Sequence, residues 1–167
     1  LSRSGLKFVP TRCSADPRPC TDMLVQILST HPRQDVAINI GELLKSREMK
    51  IDFSRAESGG KMTMFASFNV MPVGDVEVMI LNIDGDALTD AATPIVCKQA
   101  NIYHESIHLE QHLAWRRAHP GLLSTRRVQT PAEAATEFFR DEIEAHLAQI
   151  QFMIEVRAES CNPEKIQ

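Results

Sequence analysis

The sequence predicts an α+β fold, because a middle section in which apolar and polar residues alternate is followed by two long segments of helical period. Its 167 residues, 43% hydrophobic and 24% charged, match one globular domain spanning 1–167. A chain of this length buries enough surface to fold without disulfides or a structural metal, so any metal it carries is expected to serve function.

Residues 1–20 hold Pro10, Pro17 and Pro19 and show little periodicity, so an irregular N-terminal arm is expected. Thr21 or Asp22 then caps a short helix through Met23, Leu24, Val25, Ile27 and Leu28 that stops before Pro32. The stretch 35–46 reads two ways: Val36, Ile38 and Ile40 alternate as in a strand, while Leu43 and Leu44 suit a helix. Met49, Ile51 and Phe53 alternate with polar residues, as do Met62, Met64, Ala66, Phe68 and Val70 beyond Ser58-Gly59-Gly60, which predicts a hairpin. A third strand, 76–83, follows the turn at Pro72-Val73-Gly74 and ends at Asp84-Gly85-Asp86. Three strands in succession predict an antiparallel meander, with the methionines as core filler.

The period then turns helical. Thr93-Pro94 opens a segment whose Ile95, Val96, Ile102, Ile107, Leu109 and Leu113 recur until Pro120-Gly121. A second long helix starts at Thr130-Pro131-Ala132-Glu133, a capping box with proline at the first helical position, and is expected to reach about Ser160.

Eighteen Lys+Arg against 22 Asp+Glu leave a net charge of −4, and the basic residues are scattered apart from Arg116-Arg117 and Arg126-Arg127. Nucleic acid is therefore not the expected partner. The longest apolar run, 76–83, contains Glu77 and Asn82 and falls far short of the ~20 residues that span a bilayer. The chain begins at Leu1 without a basic segment leading into an apolar one, consistent with a processed chain or an excised domain, and carries no readable address beyond the option of secretion. None of the four cysteines forms a CxxC pair; Cys13 and Cys20 flank two prolines and pair if the protein is secreted, or stay free thiols otherwise.

Five of the six histidines lie between His104 and His146. Within the first long helix the chain reads His104-Glu105-Ser106-Ile107-His108, an HExxH pattern. Four residues make about one turn, so both imidazoles leave one face and can share a metal ion, for which two nitrogen ligands favour Zn2+. Glu105 stands beside them as general base for a metal-activated water. A catalytic zinc needs a third protein ligand. The metzincin solution is excluded, because Gln111 and Ala114 stand where it requires Gly and His. His112 shares the face but lies a further ~6 Å along the axis, too far to close a tetrahedron from a straight helix. The second helix offers Glu142, with Glu137, Asp141 and Glu144 as competitors of which only one can face the metal.

On these residues the chain resembles the gluzincins, HExxH zinc peptidases in which a downstream helix supplies a glutamate. Where they carry Glu-x-x-x-Asp this chain has Glu142-x-x-x-His146 instead, and Ala145 resembles the Glu-x-x-Ala helix of compact bacterial HExxH peptidases. The resemblance covers about half of the chain. It implies a zincin-like fold with zinc held by His104, His108 and Glu142, general-base catalysis by Glu105 and hydrolysis of a protein or peptide substrate. His146 departs from the pattern and is expected to stabilise the oxyanion or support a ligand. The resemblance also implies that an extended substrate pairs with strand 76–83, and likeness to bacterial toxin or effector proteases implies a specific protein target. Tyr103, His119, Arg126 and Arg127 are further candidates for oxyanion or substrate contacts, each better explained as an ordinary surface residue. Two rivals stand beside this: a carboxylate-bridged di-metal bundle using Glu105-x-x-His108, weakened because Ile143 sits where a second such unit needs Glu before His146, and a non-catalytic interaction domain with incidental histidines. The oligomeric state is not legible in the sequence.

Overall fold

A computed structural model describes residues 6–58, 62–158 and 161. The part of the expected hairpin turn at Gly59-Gly60 lies outside these residues. The chain is mixed α+β, with six strands in two small sheets and six helices among the described residues.

From Leu6 onward the N-terminal segment forms regular elements, contrary to the irregular arm expected over 1–20. Strand β1 (Leu6–Val9) pairs antiparallel with β3 (Arg55–Ser58), which also pairs with β4 (Met62–Thr63). A short helix α1 (Arg12–Ala15) is capped by the Thr11 side chain, and α2 (Arg18–Ser29) starts directly after Pro17. Two of the prolines that read as irregularity, Pro17 and Pro19, sit at the N-terminus of α2, where a missing N–H costs nothing. A disulfide between Cys13 and Cys20 clips α1 to α2.

The ambiguous stretch is helix α3 (Gln34–Lys45), since Val36 and Ile40, one turn apart, are buried while Ile38 is 56% exposed. The strand-like alternation there was an accident of composition on a helix whose apolar face is completed by Leu43.

The second sheet corrects the meander. Strand β2 (Met49–Asp52) runs parallel to β6 (Val76–Ile83), and β5 (Ala66–Val73) pairs antiparallel on the other side, giving the order β2-β6-β5. Met79, Leu81 and Ile83 of the central strand point into a core shared with Leu24, Ile27, Val36, Ile40, Ile102 and Leu109. On the opposite face the buried Asn82 amide donates to the Ser54 and Asp52 carbonyls at 3.0 and 3.3 Å and holds the bend between β2 and β3. Arg55 binds Asp84 at 3.1 Å and also Asp86, which ties the two sheets at the start of α4 (Gly85–Thr89).

Two long helices finish the chain: α5 (Ile95–Ala118) and α6 (Pro131–Glu155), the latter opened by the Thr130/Glu133 capping box. Helix α5 ends where Pro120 was expected to close it, with His119 at its C-cap, but it opens with Pro94 rather than Thr93 at the N-cap, and α6 stops at Glu155, short of the expected Ser160. They pack antiparallel, as the cross-contacts show: Cys97 is bonded to Cys161 after α6, His104 meets Gln149, His108 meets Glu142 and Gln111 meets Asp141. Ala145 is fully buried on α6 and has only a methyl group to place between the helices. No helix among the described residues is long and apolar enough to cross a membrane.

Candidate metal centre

Helix α5 turns Ile102 and Leu109 into the core, which leaves His104 and His108, four residues apart, facing α6. The capping box fixes where α6 starts, and the antiparallel packing then carries Glu142 opposite the two rings. His104 Nε2 and His108 Nε2 lie 3.2 Å apart. The Glu142 carboxylate approaches His108 Nε2 at 2.8 Å and His104 Nε2 at 3.7 Å. One donor atom from each of the three residues falls within 4.8 Å of the others. Donors around a tetrahedral zinc at ~2.1 Å stand about 3.4 Å apart, so the spacing is of the size such an ion needs.

The orientation of the rings is set by two glutamines. Gln111 donates from Nε2 to the Asp141 carbonyl and to Glu144, at 3.1 and 2.9 Å, so its Oε1 must face His108 Nδ1, 2.9 Å away. Asn101 donates to the Cys97 carbonyl at 3.0 Å and accepts from Gln149 Nε2 at 3.4 Å, which turns Gln149 Oε1 toward His104 Nδ1 at 3.1 Å. An amide oxygen only accepts, so each Nδ1 carries its hydrogen and each Nε2 turns its other bonding site toward Glu142. Two imidazole nitrogens and a carboxylate facing one another can hold a metal ion or share a proton.

Without a metal, protons fill that role. Burial, reinforced by the neighbouring His108, pushes His104 down to about 4. Burial also pulls His108 downward, but its hydrogen bond to Glu142 prevails and raises it to about 9. The same hydrogen bond holds Glu142 below the usual carboxylate range. A metal ion would displace the shared proton, so binding should release it.

Glu105 is half-buried at the foot of the cluster, where burial pushes its carboxyl up to about 8, opposed by His108 and by the Phe68 backbone of β5. His146, one turn beyond Glu142, reaches the rim: its Nε2 lies 3.4 Å from the Glu142 carboxylate and its ring packs edge-on against His104 at 4.5 Å. Its side chain is 62% exposed.

The other candidates have different partners. Glu137 accepts from Arg127 and Gln129, Asp141 pairs with Arg140, and Glu144 is taken by Gln111. His112 lies off the cluster against Phe68, with Nε2 4.0 Å from Glu77. Tyr103 packs against His31 and Phe152, and His119 stacks on Trp115 and bonds its carbonyl at the end of α5. Arg126 holds the Gly74 carbonyl and Arg127 covers Trp115. Strand β6, expected to receive substrate, is the middle strand, paired with β5 along its length and with β2 at Met79–Asn82, whereas among the described residues β5 pairs with β6 only.

Comparisons with protein families, curated proteins and solved structures gave no match. The roles of Gln149 and Gln111 were missed in the sequence, although each stands at helical spacing from a candidate ligand: Gln111 three residues after His108, and Gln149 seven, about two turns, after Glu142.

Proposed function

We propose that the chain is a zinc-dependent endopeptidase of zincin-like, gluzincin type that cleaves a protein substrate. The observation that carries this reading is the convergence of His104, His108 and Glu142 with both Nδ1 atoms tied to glutamines. His104, His108 and Glu142 would hold the ion, which when bound supplies Lewis acidity toward a water and the substrate carbonyl.

Glu105 takes the proton of the attacking water and returns it to the leaving amine. Its half-buried place, against the Phe68 backbone, suits a group that must alternate between charged and neutral forms. His146, at the open rim, hydrogen-bonds the carbonyl oxygen as charge builds on it, a role supported by its exposure beside Glu142. An extended substrate segment adds to the unpaired edge of β5, which passes Glu105 at Phe68. Two disulfides using all four cysteines favour an oxidising, extracytoplasmic compartment and a secreted protease, toxin or effector.

Zinc content and hydrolysis of a denatured protein substrate test the reading in wild type, His104→Ala, Glu142→Ala and Glu105→Gln. Wild type should hold one zinc, the two ligand variants should lose it, and Glu105→Gln should keep it while activity falls at least ~100-fold. Full zinc occupancy in Glu142→Ala would remove that residue from the ligand set, and undiminished hydrolysis by Glu105→Gln would end the mechanism.

A further inference from the structure

Helix α6 leaves Phe139, Ile143, Leu147, Ile150 and Ile154 between 53% and 66% exposed. At about 100° per residue these side chains fall within an arc of roughly 80°, running about 22 Å along the helix. Single exposed apolar residues need no explanation, but five aligned on one face make a continuous patch of roughly 500 Å², the size that marks an interaction surface.

The spacing of the stripe identifies the shape of its partner. Intervals of four and three residues present knobs to another helix, whereas an extended strand repeats every two residues. The stripe also reads nearly the same in both directions. An antiparallel second copy sets Phe139 opposite the partner's Ile154, Ile143 opposite the partner's Ile150, and Leu147 opposite the partner's Leu147. That arrangement brings Glu144 within about one turn of the partner's Gln151, so no like charges meet along that flank. Two such faces bury roughly 1,000 Å², and their flanking residues bring the contact toward the ~1,200–2,000 Å² of a stable pair. A lipid surface is a poorer match, because Arg140 is the only Lys or Arg within α6 while the exposed Glu144 and Glu155 border the stripe.

We propose that α6 pairs with α6 of a second copy through this stripe, and that the pairing covers His146 at the rim of the metal centre. His146 lies only about 20° outside the arc, next to Leu147 where the two helices cross. The partner helix therefore closes the exposed side of the site, and each subunit opens to a large substrate when the pair separates. The pairing stands on the exposed stripe alone; its effect on access rests on the proposed peptidase reading.

Sedimentation equilibrium across the micromolar range tests the pairing on the intact chain, with Leu147→Glu as the variant and circular dichroism to verify its helix content. Wild type should approach twice the monomer mass. Leu147→Glu, altered at the centre of the contact, should keep its fold and associate at least ~30-fold more weakly. A monomeric wild type would overturn the proposal, as would a dimer that persists in Leu147→Glu or a monomer that instead floats with phosphatidylglycerol vesicles. Hydrolysis per subunit should rise on dilution in wild type and stay constant in Leu147→Glu. Equal dilution profiles, with hydrolysis present, would overturn the closed-site part; no hydrolysis in any form would count against the peptidase reading and leave the mass result to judge the pairing.

Discussion

Removing the Cys97–Cys161 bond should cost far more stability than removing Cys13–Cys20, although both pairs are buried to the same degree. The bonds span sequence separations of 64 and 7 residues. Chain-entropy arithmetic for loops of these lengths gives about 4.3 kcal/mol for the longer one and about 2.5 kcal/mol for the shorter. The perturbation is Cys97→Ala with Cys161→Ala, compared with Cys13→Ala with Cys20→Ala, and the assay is urea unfolding in chelator-treated buffer. The long-loop variant should unfold at the lower urea concentration and with a steeper denaturant dependence, because its unfolded chain expands further. Since the bond joins the start of the His104/His108 helix to the chain just beyond the Glu142 helix, zinc affinity should fall as well. Zinc at about 100 times its Kd should then restore roughly 2.7 kcal/mol. If the two variants lose equal stability, or the short-loop one loses more, the entropic reasoning fails.

Gln149→Leu should weaken zinc binding by roughly 10- to 100-fold in a competition titration while leaving the helix content intact, because His104 loses the acceptor that orients its ring. Glu77 gives a pH signature: burial pushes its carboxyl up, but hydrogen bonds from the Thr125 backbone, the Thr125 hydroxyl and the Ser124 hydroxyl prevail and hold it below its ordinary value. Its contribution is fully present above the unfolded value of about 4.3 and is lost as pH falls through the lower folded value, so Glu77→Gln should flatten the acid side of a stability-against-pH curve. Gly85→Ala should destabilise by about 1–3 kcal/mol in thermal unfolding. A Cβ there would meet Thr11 Oγ1, the Phe53 carbonyl and Cys13 Cβ at 3.1 Å or less, and the carbonyl is backbone and cannot swing aside.

The legible parts of the sequence were those governed by neighbours a few residues away. The Thr130/Glu133 capping box placed the start of α6, and strand 76–83 was bounded by its turns. The first twenty residues misled because prolines that open helices look the same as prolines that prevent them until the partners of β1 and α2 are known. The alternation at Val36, Ile38 and Ile40 misled because an exposed isoleucine on a helix imitates a strand face.

The sequence alone determined that His104 and His108 share a face, since a four-residue interval on a helix needs no tertiary contact. It did not determine which carboxylate meets them. Glu137, Asp141, Glu142 and Glu144 differ by rotations about one axis, and only the packing of α6 on α5, with Ala145 buried between them, turned Glu142 inward and gave the others to Arg127, Arg140 and Gln111. Packing likewise decided the glutamine support of both rings, the parallel pairing of β2 with β6 and the joining of Cys97 to Cys161. Local spacing fixes direction around one element, whereas contact between elements depends on how every buried side chain shares the same space.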